Sequence, residues 1–342
     1  MEWKIIDFNK IPGETPFDAY SDAISRYKFS QIINYSKDIF FLLGDNSAEN
    51  PNSASSIIYR SVDFGATFHK TTLGRGTITE GCFAEEGLFV VLQSSNFAGE
   101  ERKNISTLFH SKDWGETWEK ITHLDEVNLS YIDFYSQKTG IAVFSVKKAG
   151  EFVYEYRYTK DGGKTWIKFD LDPEKICILN SDHSLLYIEN NDQLYQFDLE
   201  DGKKRLVNSL PIPQDMKLIY IKKDKKTSRL VAYYFGKERE SYKVGICYID
   251  KGEYIPLPDG YYITTYGDFY FTEVYNTPYS SYVWSEDGGK IWNKEELKDF
   301  FIVPRPIGYA DEGYIYMIVT MFKGKEENRG ARLVIGYPKK NS

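Results

Sequence analysis

An all-β fold built from repeated small sheets is predicted by two observations on this 342-residue sequence. First, aromatic residues make up 16% of the chain, with 28 Tyr and 22 Phe, and flat rings pack well on the pleated surface of strands. Second, one turn-like pattern centred on aspartate recurs along the chain. Because repeat folds bury each unit against its neighbour, the length does not require two domains, and we expect residues 1–342 to form a single domain.

The repeated pattern places a hydroxyl residue, an aspartate, a glycine and an aromatic or similar large residue at fixed positions. Its four copies are Ser61–Phe68, Ser111–Trp118, Thr159–Trp166 and Ser285–Trp292. The first three are 50 and 48 residues apart, which is the length of one four-stranded unit. The 126 residues that separate the third aspartate from the fourth leave room for two units whose turns have diverged.

Each position of the pattern has a structural role. The carboxylate accepts backbone N–H groups of its own hairpin, the hydroxyl braces the turn, and glycine adopts a positive φ that other residues resist. The final aromatic ring packs on the sheet and contributes about 2–3 kcal/mol from buried area. We therefore interpret as turn residues, rather than catalytic acids or calcium ligands, Asp63, Gly65, Asp113, Gly115, Trp118, Asp161, Gly163, Trp166, Asp287, Gly289 and Trp292.

The same order of four strands, a to d, recurs around each turn. It is clearest in the third unit, where apolar runs at Tyr131–Phe134, Ile141–Val146 and Phe152–Tyr158 precede the aspartate turn and a fourth strand follows it. The fourth and fifth units keep the strands and have ordinary hairpin turns instead. The predicted units cover residues 12–72, 73–123, 124–170, 171–208, 209–258, 259–298, and 299–342 together with 1–8.

The last unit ends before its fourth strand, and the N-terminus supplies a candidate. Glu2-Trp3-Lys4-Ile5 matches the d-strand segment Thr117–Ile121 in character. Pairing of this segment with the C-terminal strands would close the array and remove its exposed edge. The sequence thus predicts a seven-bladed β-propeller of four-stranded blades, with six blades as the alternative.

The pattern S-x-D-x-G-x-T-W resembles the Asp box, also called the bacterial neuraminidase repeat. The resemblance implies a scaffold similar to those of sialidases, sortilin-type receptors and photosystem II assembly factors. Sialidases also carry a Phe/Tyr-Arg-Ile-Pro motif, but the nearest match here, Phe8–Pro12, has no arginine, and no Tyr–Glu nucleophile pair is assigned. The sequence therefore has no identifiable sialidase active site, and we predict no catalytic residue.

Ligand binding is expected on the face opposite the aspartate turns, where the loops between strands b and c and the crossovers lie. Three arginines, Arg26, Arg75 and Arg305, precede the innermost strands of neighbouring units and together would hold a carboxylate or phosphate. Separate salt bridges with acids such as Glu80 or Asp125 are the alternative. The long segments of this face are Pro12–Tyr27, Asp45–Ala54, Ser94–Lys103, Gly236–Ser241 and Lys323–Gly330.

Charge and composition indicate which classes of partner to expect. With 43 basic and 50 acidic residues the net charge is −7, which disfavours nucleic acid and favours a basic protein partner. The N-terminus lacks a signal-peptide pattern and no apolar run reaches membrane-spanning length, so we expect a cytoplasmic protein, or an exported one if a signal was removed. Neither the three cysteines nor the four histidines have metal-ligand spacing, and no metal or cofactor is predicted.

The leading functional hypothesis is a non-catalytic propeller that presents its loop face to a protein partner, as inhibitors and immunity proteins do. The alternative is a carbohydrate-binding protein or a sialidase-like glycoside hydrolase. An assembly factor for a larger complex is the third hypothesis.

Overall fold

The computed structural model is all-β over the residues that it describes. The described residues are 2–7, 28–46, 54–85, 87–98, 101–148, 150–169, 177–179, 184–189, 193–199, 203–209, 216–224, 226–227, 229–238, 241–258, 262–276, 279–296, 307–309, 314–320 and 331–337. Within them, 28 strands form seven four-stranded antiparallel sheets. In this part of the chain no helix has the length and apolarity to cross a membrane.

The chain divides into two compact units. Unit one comprises Met1–Pro173, Phe301–Ala310 and Tyr314–Ser342, and unit two comprises Glu174–Phe300 and Asp311–Gly313. Unit one holds four of the sheets and unit two holds three. We number the sheets in chain order and describe each unit by itself.

In unit one, each sheet consists of strands that are consecutive in sequence, apart from the contribution of the N-terminal strand to sheet seven. Sheet one contains β2 (Lys28–Asn34), β3 (Phe40–Asp45), β4 (Ser56–Ser61) and β5 (His69–Thr71). Sheet two contains β6 (Thr77–Ala84), β7 (Gly87–Ala98), β8 (Glu101–Ser111) and β9 (Glu119–Asp125). Sheet three contains β10 (Val127–Phe134), β11 (Gly140–Lys148), β12 (Glu151–Thr159) and β13 (Ile167–Lys168). Sheet seven contains β1 (Glu2–Asp7), β26 (Ile307–Tyr309), β27 (Ile315–Thr320) and β28 (Ala331–Tyr337).

In unit two, the three sheets are also built from consecutive strands. Sheet four contains β14 (Cys177–Leu179), β15 (Ser184–Glu189), β16 (Gln193–Asp198) and β17 (Lys204–Ser209). Sheet five contains β18 (Met216–Lys223), β19 (Leu230–Glu238), β20 (Ser241–Tyr248) and β21 (Glu253–Leu257). Sheet six contains β22 (Tyr262–Tyr266), β23 (Phe269–Asn276), β24 (Tyr279–Ser285) and β25 (Asn293–Glu296).

The two ends of the chain meet in sheet seven. Strand β1 pairs antiparallel with β28 over its whole length, from Glu2 opposite Tyr337 to Asp7 opposite Arg332. The N-terminal strand therefore occupies the edge position that strands β5, β9 and β13 occupy in sheets one to three, as its sequence predicts.

Within each unit the core lies between neighbouring sheets. In unit one, Phe40, Leu42 and Tyr59 of sheet one pack against Tyr316 and Leu333 of sheet seven, and similar apolar clusters lie between sheets one and two and between sheets two and three. In unit two, equivalent clusters join sheets four and five and sheets five and six. Burial between sheets explains why the central strands are apolar on both faces.

The first strands of four sheets carry a β-bulge at the same place. The extra residues lie between Phe29 and Gln31, Ile78 and Glu80, Leu129 and Tyr131, and Leu218 and Tyr220. In two sheets the bulged residue is a serine whose hydroxyl donates to a carbonyl of the next strand, Ser30 to Leu43 O and Ser130 to Val143 O. The hydroxyl thus satisfies a backbone acceptor where the bulge interrupts the ladder.

Two of the segments predicted as long loops consist largely of paired strand residues. Strands β7 and β8 remain paired as far as Ala98 opposite Glu101, and β19 and β20 as far as Glu238 opposite Ser241. The loop predictions for Ser94–Lys103 and Gly236–Ser241 are therefore wrong. Their polar composition is compatible with a hairpin because cross-strand backbone pairing does not require apolar side chains.

Candidate functional site

The four turns with a central aspartate share one set of contacts, and we call Ser61–Phe68, Ser111–Trp118, Thr159–Trp166 and Ser285–Trp292 the Asp-centred turns. In each, the first hydroxyl donates to the aspartate over 2.8–3.0 Å and accepts the glycine N–H over 2.7–2.9 Å. The aspartate also accepts the N–H of the residue four positions later over 2.8–2.9 Å. The Thr117 hydroxyl and N–H lower the pKa of Asp113 to about 2. These carboxylates are engaged by their own turns.

Each Asp-centred turn contains two consecutive residues with positive φ. The glycine has φ between 72° and 89°, and the residue before it has φ between 57° and 76°. That preceding residue is Phe64, Trp114, Gly162 or Gly288. The glycine is also needed for space, since a Cβ at Gly65 would lie 2.5 Å from Ile6 Cδ1 of sheet seven and one at Gly163 would lie 2.4 Å from Leu108 Cδ2 of sheet two.

The predicted arginine cluster falls largely outside the described residues. Arg26 and Arg305 are not among them. Arg75 is described, its side chain is exposed, and its backbone forms an isolated bridge with Ser55. The binding role of the three arginines therefore stays a prediction. Of the two acids named as salt-bridge partners, Asp125 lies with Oδ1 3.5 Å from His123 Nε2. The other, Glu80, is partly buried, and burial raises its pKa.

Two carboxyl groups on the first strands of neighbouring sheets have raised pKa values. Burial raises the pKa of Glu80 on β6 to about 7, and burial raises the pKa of Asp133 on β10 to about 6. The Cys82 thiol is close to both, since its pKa is raised first by burial and then by the charges of Asp133 and Glu80. Raised carboxyl pKa values are common where a protein uses a proton.

Sequence reasoning did not assign a role to this carboxyl pair. The only signal was an acidic residue inside an apolar strand segment, in Ile78–Phe83 and again in Tyr131–Phe134. Such a residue is compatible with an exposed position on an alternating strand, so burial could not be deduced from the pattern.

The β7–β8 hairpin extends beyond the rest of its sheet. Strand β6 pairs with β7 only as far as Gln93, and β9 pairs with β8 only as far as Ile105. Beyond these points Ser94–Ala98 and Glu101–Asn104 pair only with each other among the described strands. Lys103 Nζ lies 2.5 Å from Glu126 Oε1, and Glu126 N donates to Asn104 O, so the base of the hairpin is held by the β9–β10 connection.

Comparison with known proteins identifies the scaffold. No protein-family model and no curated protein sequence matches the chain. Among solved structures, the acylaminoacyl peptidase of Pyrococcus horikoshii is similar with a TM-score of 0.62 at 10% identity, over 94% of this chain and 52% of that one. This chain thus spans about half the length of that peptidase.

Two further structures match over most of both chains. The oligogalacturonate lyase of Vibrio parahaemolyticus has a TM-score of 0.58 at 8% identity and covers 98% of this chain and 96% of its own. The β-propeller domain of the Trilobed protease of Pyrococcus furiosus has a TM-score of 0.56 at 10% identity and covers 86% of this chain and 90% of its own. At these identities the similarity establishes the fold.

The class of the protein follows from these matches and from the sheets. The chain is an all-β protein of the β-propeller class with four-stranded blades, as the sequence predicts.

Proposed function

We propose that this protein is a non-catalytic β-propeller that binds a protein partner through the end of the molecule from which the β7–β8 hairpin projects. Within this proposal the repeats are Asp boxes, and the seven sheets are seven blades of one ring sealed by the pairing of β1 with β28. The partner is basic, because the chain has a net charge of −7. An inhibitor or immunity-type role in the cytoplasm is the specific version that we favour.

The observation that carries the proposal is the projecting hairpin. Its two outer edges, beyond Ser94 and Asn104, have no strand neighbour among the described residues. Open strand edges present N–H and C=O groups that an extended segment of another protein pairs with by strand addition. Because the hairpin continues from β7, whose residues Gly87–Leu92 are buried, it is attached to a rigid base.

The proposal is tested by trimming the hairpin. In the test variant, residues 95–104 are replaced by Asn-Gly, which joins the paired residues Ser94 and Ile105 by a two-residue turn. In the matched control, residues 237–242 are replaced by Asn-Gly between the paired residues Gly236 and Lys243 of the β19–β20 hairpin. Proteins recovered with each variant from native lysate are quantified by mass spectrometry, and thermal unfolding verifies the fold.

We expect the trimmed β7–β8 variant to lose a protein that the wild type and the control both recover. Recovery of the same proteins at the same level by all three would refute binding through this hairpin. Failure of the wild type to recover any specific protein would refute the proposed function as a whole.

The alternative function, action on a carbohydrate, is favoured by the carboxyl pair of Glu80 and Asp133. Glycoside hydrolases use two carboxyl groups, one of which has a raised pKa. A glycan array and a fluorogenic sialoside assay test this alternative. It predicts activity that Glu80→Gln or Asp133→Asn abolishes, and anionic-sugar binding that Arg26→Ala with Arg305→Ala removes. Absence of both activity and glycan binding in the wild type would refute it.

A further inference from the structure

A cavity of about 460 Å³ lies in unit one between sheets two and three, beside their Asp-centred turns. This volume is within the range of small-molecule sites in proteins. The cavity opens at the end of the sheets opposite the β7–β8 hairpin, because its walls include Gly162 and Lys138 from the turns of sheet three. We call it the sheet 2–3 cavity.

The space exists because one residue of the third Asp-centred turn has no side chain. In the first turn, Phe64 fills the equivalent junction and contacts Tyr314 and Tyr337 of sheet seven, with ring centroids 5.5 and 6.0 Å away. In the second turn, Trp114 packs on Tyr35 of sheet one at 4.1 Å. The third turn has Gly162 at this position, so this turn places no ring at the junction between sheets two and three.

At the junctions filled by Phe64 and Trp114, a basic side chain of the neighbouring sheet donates to the carbonyl of the aromatic residue. Between sheets two and three a histidine stands in place of one of these basic residues. Lys4 Nζ of sheet seven donates to Phe64 O over 2.6 Å, and Arg60 Nη1 of sheet one donates to Trp114 O over 3.0 Å. Arg60 directly precedes the hydroxyl residue of its own turn, and the residue in that position of sheet two is His110.

His110 lines the sheet 2–3 cavity, and its ring carries a buried polar atom, Nε2. Its ring is stacked on Phe89 with centroids 4.2 Å apart, and the residue is 4% exposed. Nε2 is buried beside Gly87 and has no hydrogen-bond partner among the residues that the structure describes. Burial, followed by the charge of Lys112, lowers the pKa of the imidazole, so the ring is neutral at pH 7. Native proteins rarely leave such an atom unpaired, so it marks a place for a ligand group.

The charges around the sheet 2–3 cavity favour an anion. Four lysines line it, and two acids, Glu119 and Asp161, oppose them; the lysines are Lys112, Lys138, Lys160 and Lys164. The Asp161 carboxylate already accepts the hydroxyls of Thr159 and Thr165 and the Thr165 N–H. A net positive field therefore extends over the cavity mouth.

We propose that the sheet 2–3 cavity binds a small organic anion whose carboxylate or phosphate is held by the surrounding lysines and His110 Nε2, with its apolar part against Ile121 and Phe89. The site is independent of the hairpin proposed for protein binding. A neutral imidazole and flexible ammonium groups suit either anionic group, and the two are distinguished by the probe that binds.

The test uses isothermal titration calorimetry of the full chain with phenyl phosphate, benzoate and inorganic phosphate. We expect one of the two aromatic anions to bind at one site per chain, more tightly than inorganic phosphate. His110→Phe keeps the ring stack and removes Nε2, and we expect it to weaken binding about tenfold, the usual effect of losing a hydrogen bond to a charged group.

Surface substitutions keep the proposal testable if His110→Phe destabilises the protein. We expect the Lys112→Ala, Lys160→Ala double variant to weaken binding about tenfold and to reduce its salt dependence, whereas Lys251→Ala, on an exposed turn of unit two, leaves affinity unchanged. Absence of binding of all three anions to the wild type would overturn the proposal. Equal weakening by Lys251→Ala, or unchanged affinity in the double variant, would also overturn it.

Discussion

The turn between β4 and β5 in sheet one and the turn between β20 and β21 in sheet five occupy the same place in their sheets and are held by different chemistry. In sheet one, the Asp63 carboxylate accepts the N–H and hydroxyl of Thr67 and the hydroxyl of Ser61. In sheet five the equivalent turn contains Asp250, which instead forms a two-oxygen ion pair with Arg229.

A second aspartate completes the contacts of sheet five. Asp224, in the turn between β18 and β19, is 1% exposed and accepts the N–H groups of Lys226, Thr227 and Gly267. Gly267 belongs to sheet six, so this carboxylate joins two sheets of unit two. Arg229 also lies over the Tyr248 ring at 4.0 Å, and the Tyr248 hydroxyl donates to Gly267 O.

The comparison shows that the structural role of the repeated turn persists where its sequence pattern has been lost. What is retained is a carboxylate that satisfies backbone N–H groups at the corner of the sheet. What changes is its origin, from the turn between the third and fourth strands to the turn between the first and second.

The largest expected effect is that of Asp224→Ala. The substitution leaves the buried Gly267 N–H of sheet six and the part-buried N–H groups of Lys226 and Thr227 of sheet five without an acceptor, and we expect a loss of about 3 kcal/mol in the free energy of unfolding. Urea unfolding followed by tryptophan fluorescence measures this loss. Asp224→Asn, which keeps one acceptor oxygen, is the control and should lose less stability. Equal stability of the wild type and Asp224→Ala would contradict a structural role for the Asp224 carboxylate.

Glu80→Gln tests a partly buried carboxyl on the first strand of a sheet, in contrast to the carboxylates of the Asp-centred turns. The folded-state pKa of Glu80, about 7, exceeds its ordinary value of 4.5, so its ionisation costs stability progressively as pH rises from about 4.5 to 7. We expect Glu80→Gln to be about 2 kcal/mol more stable than the wild type at pH 8 and similar to it at pH 4. Unfolding curves at the two pH values measure the difference, and a pH-independent effect would contradict the burial of this carboxyl.

Asp63→Ala tests the turn of sheet one. Loss of an acceptor for the Thr67 N–H and the two hydroxyls should cost about 1.5 kcal/mol, because Thr67 is exposed and water replaces part of what is lost. Asp63→Asn should retain about half of the stability that Asp63→Ala loses. A loss in Asp63→Ala as large as that in Asp224→Ala would show that the exposed turn matters as much as the buried one.

The smallest effect is expected for Arg229→Ala. The ion pair with Asp250 is partly exposed, and its loss together with the contact to Tyr248 should cost about 1 kcal/mol. Arg229→Lys should lose most of this as well, since an ammonium group cannot reproduce the bidentate contact. Stability unchanged in 1 M salt relative to low salt, for both variants and the wild type, would indicate that stacking on Tyr248 dominates.

Much of the fold follows from the sequence because its signals are local. The Asp-centred turns specify their own hydrogen bonds, and the likeness of Glu2–Ile5 to Thr117–Ile121 predicts the strand pairing of the N-terminus. The positive φ of Phe64 and Trp114 did not follow, because bulky residues rarely adopt it.

The contacts that sequence reasoning missed are those between sheets. Asp224 meets Gly267 only when two turns 43 residues apart are brought side by side, and no spacing rule predicts this. The sheet 2–3 cavity likewise depends on Gly162. The sequence indicates only a second glycine in the turn, whereas the structure shows that this glycine stands where the first two turns have Phe64 and Trp114.

Hydrogen exchange of the backbone amides in Asp224→Ala tests most directly that the Asp224 carboxylate holds sheets five and six together. We predict faster exchange at the peptide that contains Gly267, with unchanged exchange at the peptide that contains Gly65 of sheet one. Unchanged protection at Gly267 would contradict the account.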